Sequence, residues 1–215
     1  MAEPEQLNYD IDELVRRAKA MIVPGARNIL GITGAPGSGK STLAADLVGR
    51  LGPDSARLVA MDGFHLADSL LAEFGRAERK GAPDTFDAAG YAVMLGRIRR
   101  GDPVVVPEFR RDIDEPLAAA RYVPAEIPLV VTEGNYLLLE GEGEGEWRAA
   151  RSAIDTVWHL ELDGVERRRR LEARHIRFGK SPAAAREWTN GSDEANAVLI
   201  EAAARRADLI VHMPR

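Results

Sequence analysis

The chain contains no cysteine, so neither a disulfide nor a thiolate metal site can form. It has no apolar run long enough to cross a bilayer. Residues 1–10 are acidic and polar, not a basic stretch followed by an apolar one, so no secretory signal is visible. Together these absences predict a cytoplasmic protein. Positive charge is not in excess: 29 Lys and Arg against 34 Asp and Glu give 29 − 34 = −5. That balance argues against nucleic acid or a membrane surface as partner. No Asn-Lys-x-Asp element is present, as a guanine-specific switch would need, and no oligomerisation segment marks an ATPase subunit that acts through partners.

What is present is an alternation of apolar runs and helical periodicity over 215 residues, enough to bury a substantial core. Ile11, Leu14, Val15, Ala18 and Ile22 recur at helical spacing over 10–22, and Pro24-Gly25 ends that helix. Residues 28–33 read as a buried strand, 57–61 as a second, 129–132 as a third, 156–162 as a fourth and 208–213 as a last. Helices are expected from Lys40, from a cap at Asp87 to Gly101, over the basic run 167–177, and from Ser192 or Asp193 onward. Residues 103–107 and 121–123 suggest a hairpin, and the Gly/Glu segment 141–146 a surface loop. The fold class is α/β with a mainly parallel sheet in three layers. We expect one domain over 1–215, with acceptor-side insertions near 63–90 and 103–125 and a helical lid near 165–181.

Gly34-Ala35-Pro36-Gly37-Ser38-Gly39-Lys40-Ser41 fits G-x-x-x-x-G-K-[ST] in full. Glycines let successive N–H groups curl inward at phosphate oxygens, and the following helix offers its N-terminus to the same anion. Lys40 is placed for the β- and γ-phosphates of ATP, Ser41 for Mg²⁺, and Thr42 for a further phosphate contact. Asp62 and Glu133 each close a predicted strand and precede a glycine, and ligands gather at that end of a parallel sheet. Asp62 is the candidate general base, and Glu133 the candidate for the metal shell or its water.

The segments GAPGSGKS, MDGFH, RKGAPDTFD, VTEGNYLLL and RRRRLEARH, in this order, resemble the kinase group of uridine kinases, phosphoribulokinases and bacterial pantothenate kinases. The bacterial branch labelled nucleoside/nucleotide-kinase-like or fructokinase-like is the most similar part of that group. The resemblance spans about residues 10–213. It implies a sheet in order 2-3-1-4-5, with the Glu133 strand beside the phosphate-loop strand. It also implies that Asp62 acts as base on the acceptor hydroxyl, and that 79–87 and 107–112 line the acceptor pocket. The chain lacks the Asp-Ser-Phe-Tyr type of motif associated with uridine kinases, which argues against a nucleoside acceptor.

Arg167, Arg170 and Arg174 share a helix face by spacing, and such a face can close over ATP. Arg170 and Arg174 are the choices for catalysis. His65, Arg79, Lys80, Asp87, Arg110, Arg111 and Tyr136 are acceptor-site candidates, with Tyr91 weighed as core and Trp158 and Trp188 read as packing. The expected reaction is transfer of the ATP γ-phosphoryl group to a hydroxyl of a small metabolite, a sugar or sugar-like alcohol first and a nucleoside or pantothenate-type alcohol second. A homodimer is left open.

Overall fold

The computed structural model describes residues 3–140 and 145–215. The expected loop at 141–146 falls mostly outside them, and its last two residues open a helix instead. The phosphate-loop strand β2 (Asn28–Gly34) lies at the centre of a six-stranded parallel sheet. On one side it pairs with β6 (Leu129–Glu133), which pairs with β3 (Ala56–Ala60). On the other it pairs with β7 (Thr156–Glu161), then β8 (Leu209–His212), then β1 (Glu5–Asn8). From the β3 edge the order is β3-β6-β2-β7-β8-β1. That is the order the resemblance implies, extended by one strand. β1 carries no apolar pattern, because an edge strand needs only backbone partners and most of its side chains face water. β6 is buried along its whole length, so its near-continuous apolar run fits a strand covered on both faces.

Alternate residues of each strand go to opposite faces. Leu30, Ile32, Val131, Leu160 and Val211 pack against Leu14 of α1 (Ile11–Ala20) and Leu43 and Leu47 of α2 (Lys40–Leu51). Ile29, Val130 and Val157 face Tyr91, Leu95 and Ile98 of α4 (Ala88–Arg99) and Trp147 of α5 (Gly145–Ser152). Each fully buried Leu or Ile on these faces contributes roughly 1.5–3 kcal/mol of transfer free energy. The ends of α1 are set by local chemistry: Asp10 Oδ1 accepts from Asp12 N at 3.0 Å, satisfying an orphan donor.

Two excursions leave the sheet toward its carboxyl end. After β3 the chain makes a tight turn, Met61–Phe64, then the short helix α3 (Asp68–Glu73) and a polar segment back to α4. After α4 it forms the antiparallel hairpin β4 (Val104–Arg110) and β5 (Glu115–Val123), longer than the sequence pattern suggests. The basic helix α6 spans Gly164–Arg177, with Asp163 capping it through Val165 N at 3.1 Å. The last helix does not start at Ser192 or Asp193. It starts as α7 (Pro182–Trp188), passes through a π turn at Thr189–Asp193, and continues as α8 (Glu194–Ala203). Ser181 caps that start and Pro182 supplies a preset φ in the first turn, while Gly191 only imitates a break.

Candidate active site

β2 delivers its last residues to the carboxyl edge of the sheet, and the chain turns through 35–39 into α2. Gly34 sits at φ 151°, where a Cβ would stand 2.6 Å from Leu160 O. The loop can approach the β7 backbone this closely only without a side chain. Ser38 is buried and its hydroxyl has no partner among the described residues. Lys40 folds back on the loop, its Nζ donating to the carbonyls of Gly34 at 2.8 Å and Ala35 at 3.2 Å. Burial pulls its ammonium below the usual lysine range, with Glu133 and then Asp62 opposing the shift. A buried cation satisfied by loop carbonyls, beside an orphan hydroxyl, is a cradle suited to a phosphate chain.

Ser41 Oγ donates to Glu133 Oε1 at 3.1 Å, joining the first turn of α2 to the end of β6. Burial raises the Glu133 carboxyl above the ordinary range and Asp62 adds to it, while Lys40 and Ser41 pull the other way. Asp62 stands in the turn that follows β3. Burial opposes its ionisation, but the positive groups His65, Arg111, Lys40 and Arg174 outweigh it, and its carboxyl lies below the ordinary value. Burial lowers the His65 imidazole in turn, with Asp62 opposing that shift. Arg111 Nη2 donates to Asp62 Oδ2 at 3.0 Å. The His65 ring lies between Phe86 and Phe109, with centroids 4.0 and 4.8 Å away, and its Nδ1 sits 2.8 Å from Asp62 O.

Lys40, Ser41, Glu133, Asp62, His65, Lys80, Arg111 and Arg174 all line one cavity of about 610 Å³. Lys80 reaches it between Asp68 Oδ1 at 2.6 Å and Asp114 Oδ2 at 3.1 Å. Within the phosphate loop, Pro36 shares the lining with Lys40 and Ser41, while Gly34, Ala35, Gly37, Ser38, Gly39 and Thr42 are not part of it.

Five expected residues lie elsewhere. Arg170 turns from the cavity to Glu166 Oε1 at 2.7 Å and Pro214 O at 3.2 Å. Asp87 is consumed as the N-cap of α4, accepting from Gly90 N at 2.8 Å. Arg79 pairs with Asp84 at 2.7 Å, and Arg110 with Asp112 at 2.6 Å, both outside the lining. Tyr136 is fully buried and donates to Gly81 O, so it shapes the wall from behind. Tyr91 is likewise core, its hydroxyl 2.6 Å from Thr132 Oγ1. In each case a nearer carboxylate, carbonyl or backbone N–H takes up the group that composition alone offers to a ligand.

The basic helix divides its arginines. Arg167 is buried, bonded to Glu194 and to Pro36 O at 3.4 Å, and its backbone carbonyl abuts Gly37. Arg174, about two turns further along α6, opens on the cavity and has no ion pair among the described residues. The structure also adds residues that the sequence reading left out of the site, and it corrects the reading of Trp188 as packing. His175, Lys180, Trp188, Asp193 and Asn196 line the cavity, and Lys180 Nζ lies 4.3 Å from the Trp188 ring centroid. For Trp188, Asp193 and Asn196 the signal was the one helical run they share, which mixes an aromatic, a charged and an amide residue, while His175 lies on α6 and Lys180 precedes the run.

No family model matches the chain. A Schizosaccharomyces pombe protein provisionally named as a uridine kinase is 29% identical over 224 residues, covering 99% of this chain and 93% of that protein. The Escherichia coli protein YggC, which has no assigned activity, is 32% identical over 88% of this chain and 79% of its own length. A crystal structure from Silicibacter sp. TM1040, provisionally described as a fructose transport system kinase, superposes with a TM-score of 0.82 at 36% identity, covering 94% of this chain and 99% of that one. Among the described residues no helix is long and apolar enough to cross a membrane. With its complete phosphate loop, its parallel sheet in the implied order and these relatives, the chain belongs to the P-loop ATP-dependent small-molecule kinases of the uridine kinase, phosphoribulokinase and pantothenate kinase group.

Proposed function

We propose that this kinase phosphorylates a hydroxyl of an uncharged, sugar-like alcohol. The supporting observation is that one cavity is lined at once by Lys40 and Ser41 of the phosphate loop, by Asp62 and Glu133, and by Arg174. In this reading Lys40 leaves the loop carbonyls to neutralise the β- and γ-phosphates. Asp62 takes the proton of the attacking hydroxyl as the new O–P bond forms. The bond from phosphorus to the bridging oxygen breaks, and its electron pair stays on the β-phosphate of ADP. Arg174 faces the charge that spreads over the transferring group. Ser41 and Glu133 are the residues that would hold Mg²⁺, and the oxygen donors suit that ion. When bound, it would neutralise charge between the phosphates.

The preference for an uncharged acceptor rests on how the cations are paired. Arg79, Arg110, Arg111 and Lys80 each hold a carboxylate already. Of these only Arg111 and Lys80 line the cavity, and an anionic acceptor would have to compete with carboxylates for them, while Arg174, which holds none among the described residues, is assigned to the transferring phosphoryl group. The test is an ATP-consumption screen across sugars, polyols, nucleosides and pantothenate, with an acceptor-free control. Fast consumption with a sugar or polyol and near silence without acceptor is the expected result. Turnover restricted to nucleosides or pantothenate would transfer the reading to those acceptors. Equal consumption with and without any acceptor would sink it.

A further inference from the structure

The helix from Pro182 to Ala203 contains one π turn, Thr189–Asp193, and such turns are uncommon and concentrate at functional sites. A π turn holds one more residue than an α turn, so it rotates every later side chain about the axis. Here Asp193 and Asn196 follow, each 7% exposed and both on the cavity wall. Asp193 Oδ2 lies 2.7 Å from His175 Nε2, and its other oxygen has no partner among the described residues. Asn196 Nδ2 donates to Gly81 O at 3.3 Å, and its amide oxygen has no partner among the described residues. Gly81 is itself held by the Tyr136 hydroxyl. Residues three apart on a helix stand about 5–6 Å apart at Cβ, a span that suits two neighbouring groups of one small molecule.

Two free acceptor oxygens on one wall select donors. Carboxylate or phosphate groups offer none and would meet Asp193 as a like charge. Vicinal hydroxyls offer one each. Trp188 and Phe109, on the same lining, add apolar faces that can cover the C–H side of a sugar ring. Resting on the kinase reading above, we infer that Asp193 and Asn196 recognise two adjacent hydroxyls of the acceptor polyol, with His175 as the positioning residue that holds Asp193.

The test compares sugars and linear polyols with their monodeoxy counterparts, using wild type, Asp193→Asn and His175→Gln enzymes. Acceptor KM, ATP KM and kcat are read for each. Wild type should prefer the parent over the deoxy compound that lacks the recognised hydroxyl by roughly tenfold to a hundredfold in kcat/KM. In Asp193→Asn that preference should fall to about threefold or less, with ATP KM held within about twofold. His175→Gln should raise acceptor KM while leaving kcat within about twofold, as a residue acting through another does. Asn196→Ser serves the same comparison should Asp193→Asn fail to fold. An unchanged parent-to-deoxy preference in the variants overturns the inference and leaves the polyol kinase standing. A parallel rise in ATP KM overturns it too, because the residues would then serve the nucleotide side or the fold. No turnover of any polyol by the wild type removes the acceptor reading and this inference with it.

Discussion

Arg111, at the turn of the β4–β5 hairpin, donates to Asp62 at the end of β3 with Nη2 and Oδ2 3.0 Å apart. The candidate base is therefore held by a cation from a separate excursion of the chain. Asp62→Asn keeps the shape and removes the proton affinity, so kcat should fall about a hundredfold or more with ATP affinity nearly kept. Arg111→Met should act differently. Losing one of the cations that hold the Asp62 carboxyl low raises its pKa. Asp62 must be ionised to accept a proton, so the acid limb of the kcat/KM profile should move to higher pH. A limb that stays in place in Arg111→Met would separate the ion pair from catalysis.

Lys40 sits on its own loop through the carbonyls of Gly34 and Ala35. Lys40→Ala should abolish measurable turnover, because among the described residues no other ammonium touches both the loop and the cavity. The fold should survive, since the side chain supports no part of either apolar cluster. Activity within threefold of wild type, with an unaltered circular-dichroism spectrum, is the outcome that rejects the loop assignment.

Arg174 and Arg170 are expected to part company. Arg174 opens on the cavity; Arg170 is engaged with Glu166 and Pro214. Arg174→Ala should lower kcat far more than it weakens ATP binding, which is the mark of a contact made in the transition state. Arg170→Ala should change kcat less than Arg174→Ala does. Steady-state kinetics on the two variants decides, and an equal loss of kcat in both would mean that the helix rearranges during turnover.

Gly37 lies at φ 86°, and a Cβ there would stand 2.9 Å from both the Arg167 carbonyl oxygen and Leu171 Cγ. Gly37→Ala is strained twice, by its backbone angle and by the helix above it. It should raise the KM for ATP and lower the thermal midpoint together, since α6 must lift from the loop to admit the methyl group. A variant with wild-type midpoint and wild-type KM would show that α6 does not press on the loop in solution.

His159 is 1% exposed, its Nδ1 has no partner among the described residues, and burial, followed by the charge on Lys40, lowers its pKa to about 4. Above pH 6.5 both folded and unfolded chains carry it neutral. As pH falls below 6.5 the unfolded chain takes the proton first, so stability is lost until about pH 4, where the folded state titrates as well. The loss attributable to this one group is about 3 kcal/mol across that window. Denaturant unfolding of wild type and His159→Leu at pH 7 and pH 4 measures it: the variant should lose less stability between the two. An identical loss in both would mean that solvent reaches the ring.

The sequence by itself determined the phosphate loop, the parallel strands and the positions of Asp62 and Glu133. Each rests on local rules: a backbone that must curl around an anion, a strand covered on both faces, an acid at a strand's carboxyl end. It also determined the cap of α4 at Asp87, although the same residue could be offered to a substrate on composition alone. Arg79, Arg110 and Arg170 take carboxylates that lie close by along the chain, Asp84, Asp112 and Glu166. Tertiary structure decided that Arg111 reaches Asp62 on a distant segment and that Arg174 opens on the same cavity. It decided the edge strand β1, whose partner β8 lies some two hundred residues away and whose side chains carry no apolar alternation. It decided the wall of Asp193, His175 and Asn196 as well. Their convergence depends on a π turn that shifts a helix by one residue and on the docking of that helix beside Gly81, and neither the shift nor the docking is written in any local spacing.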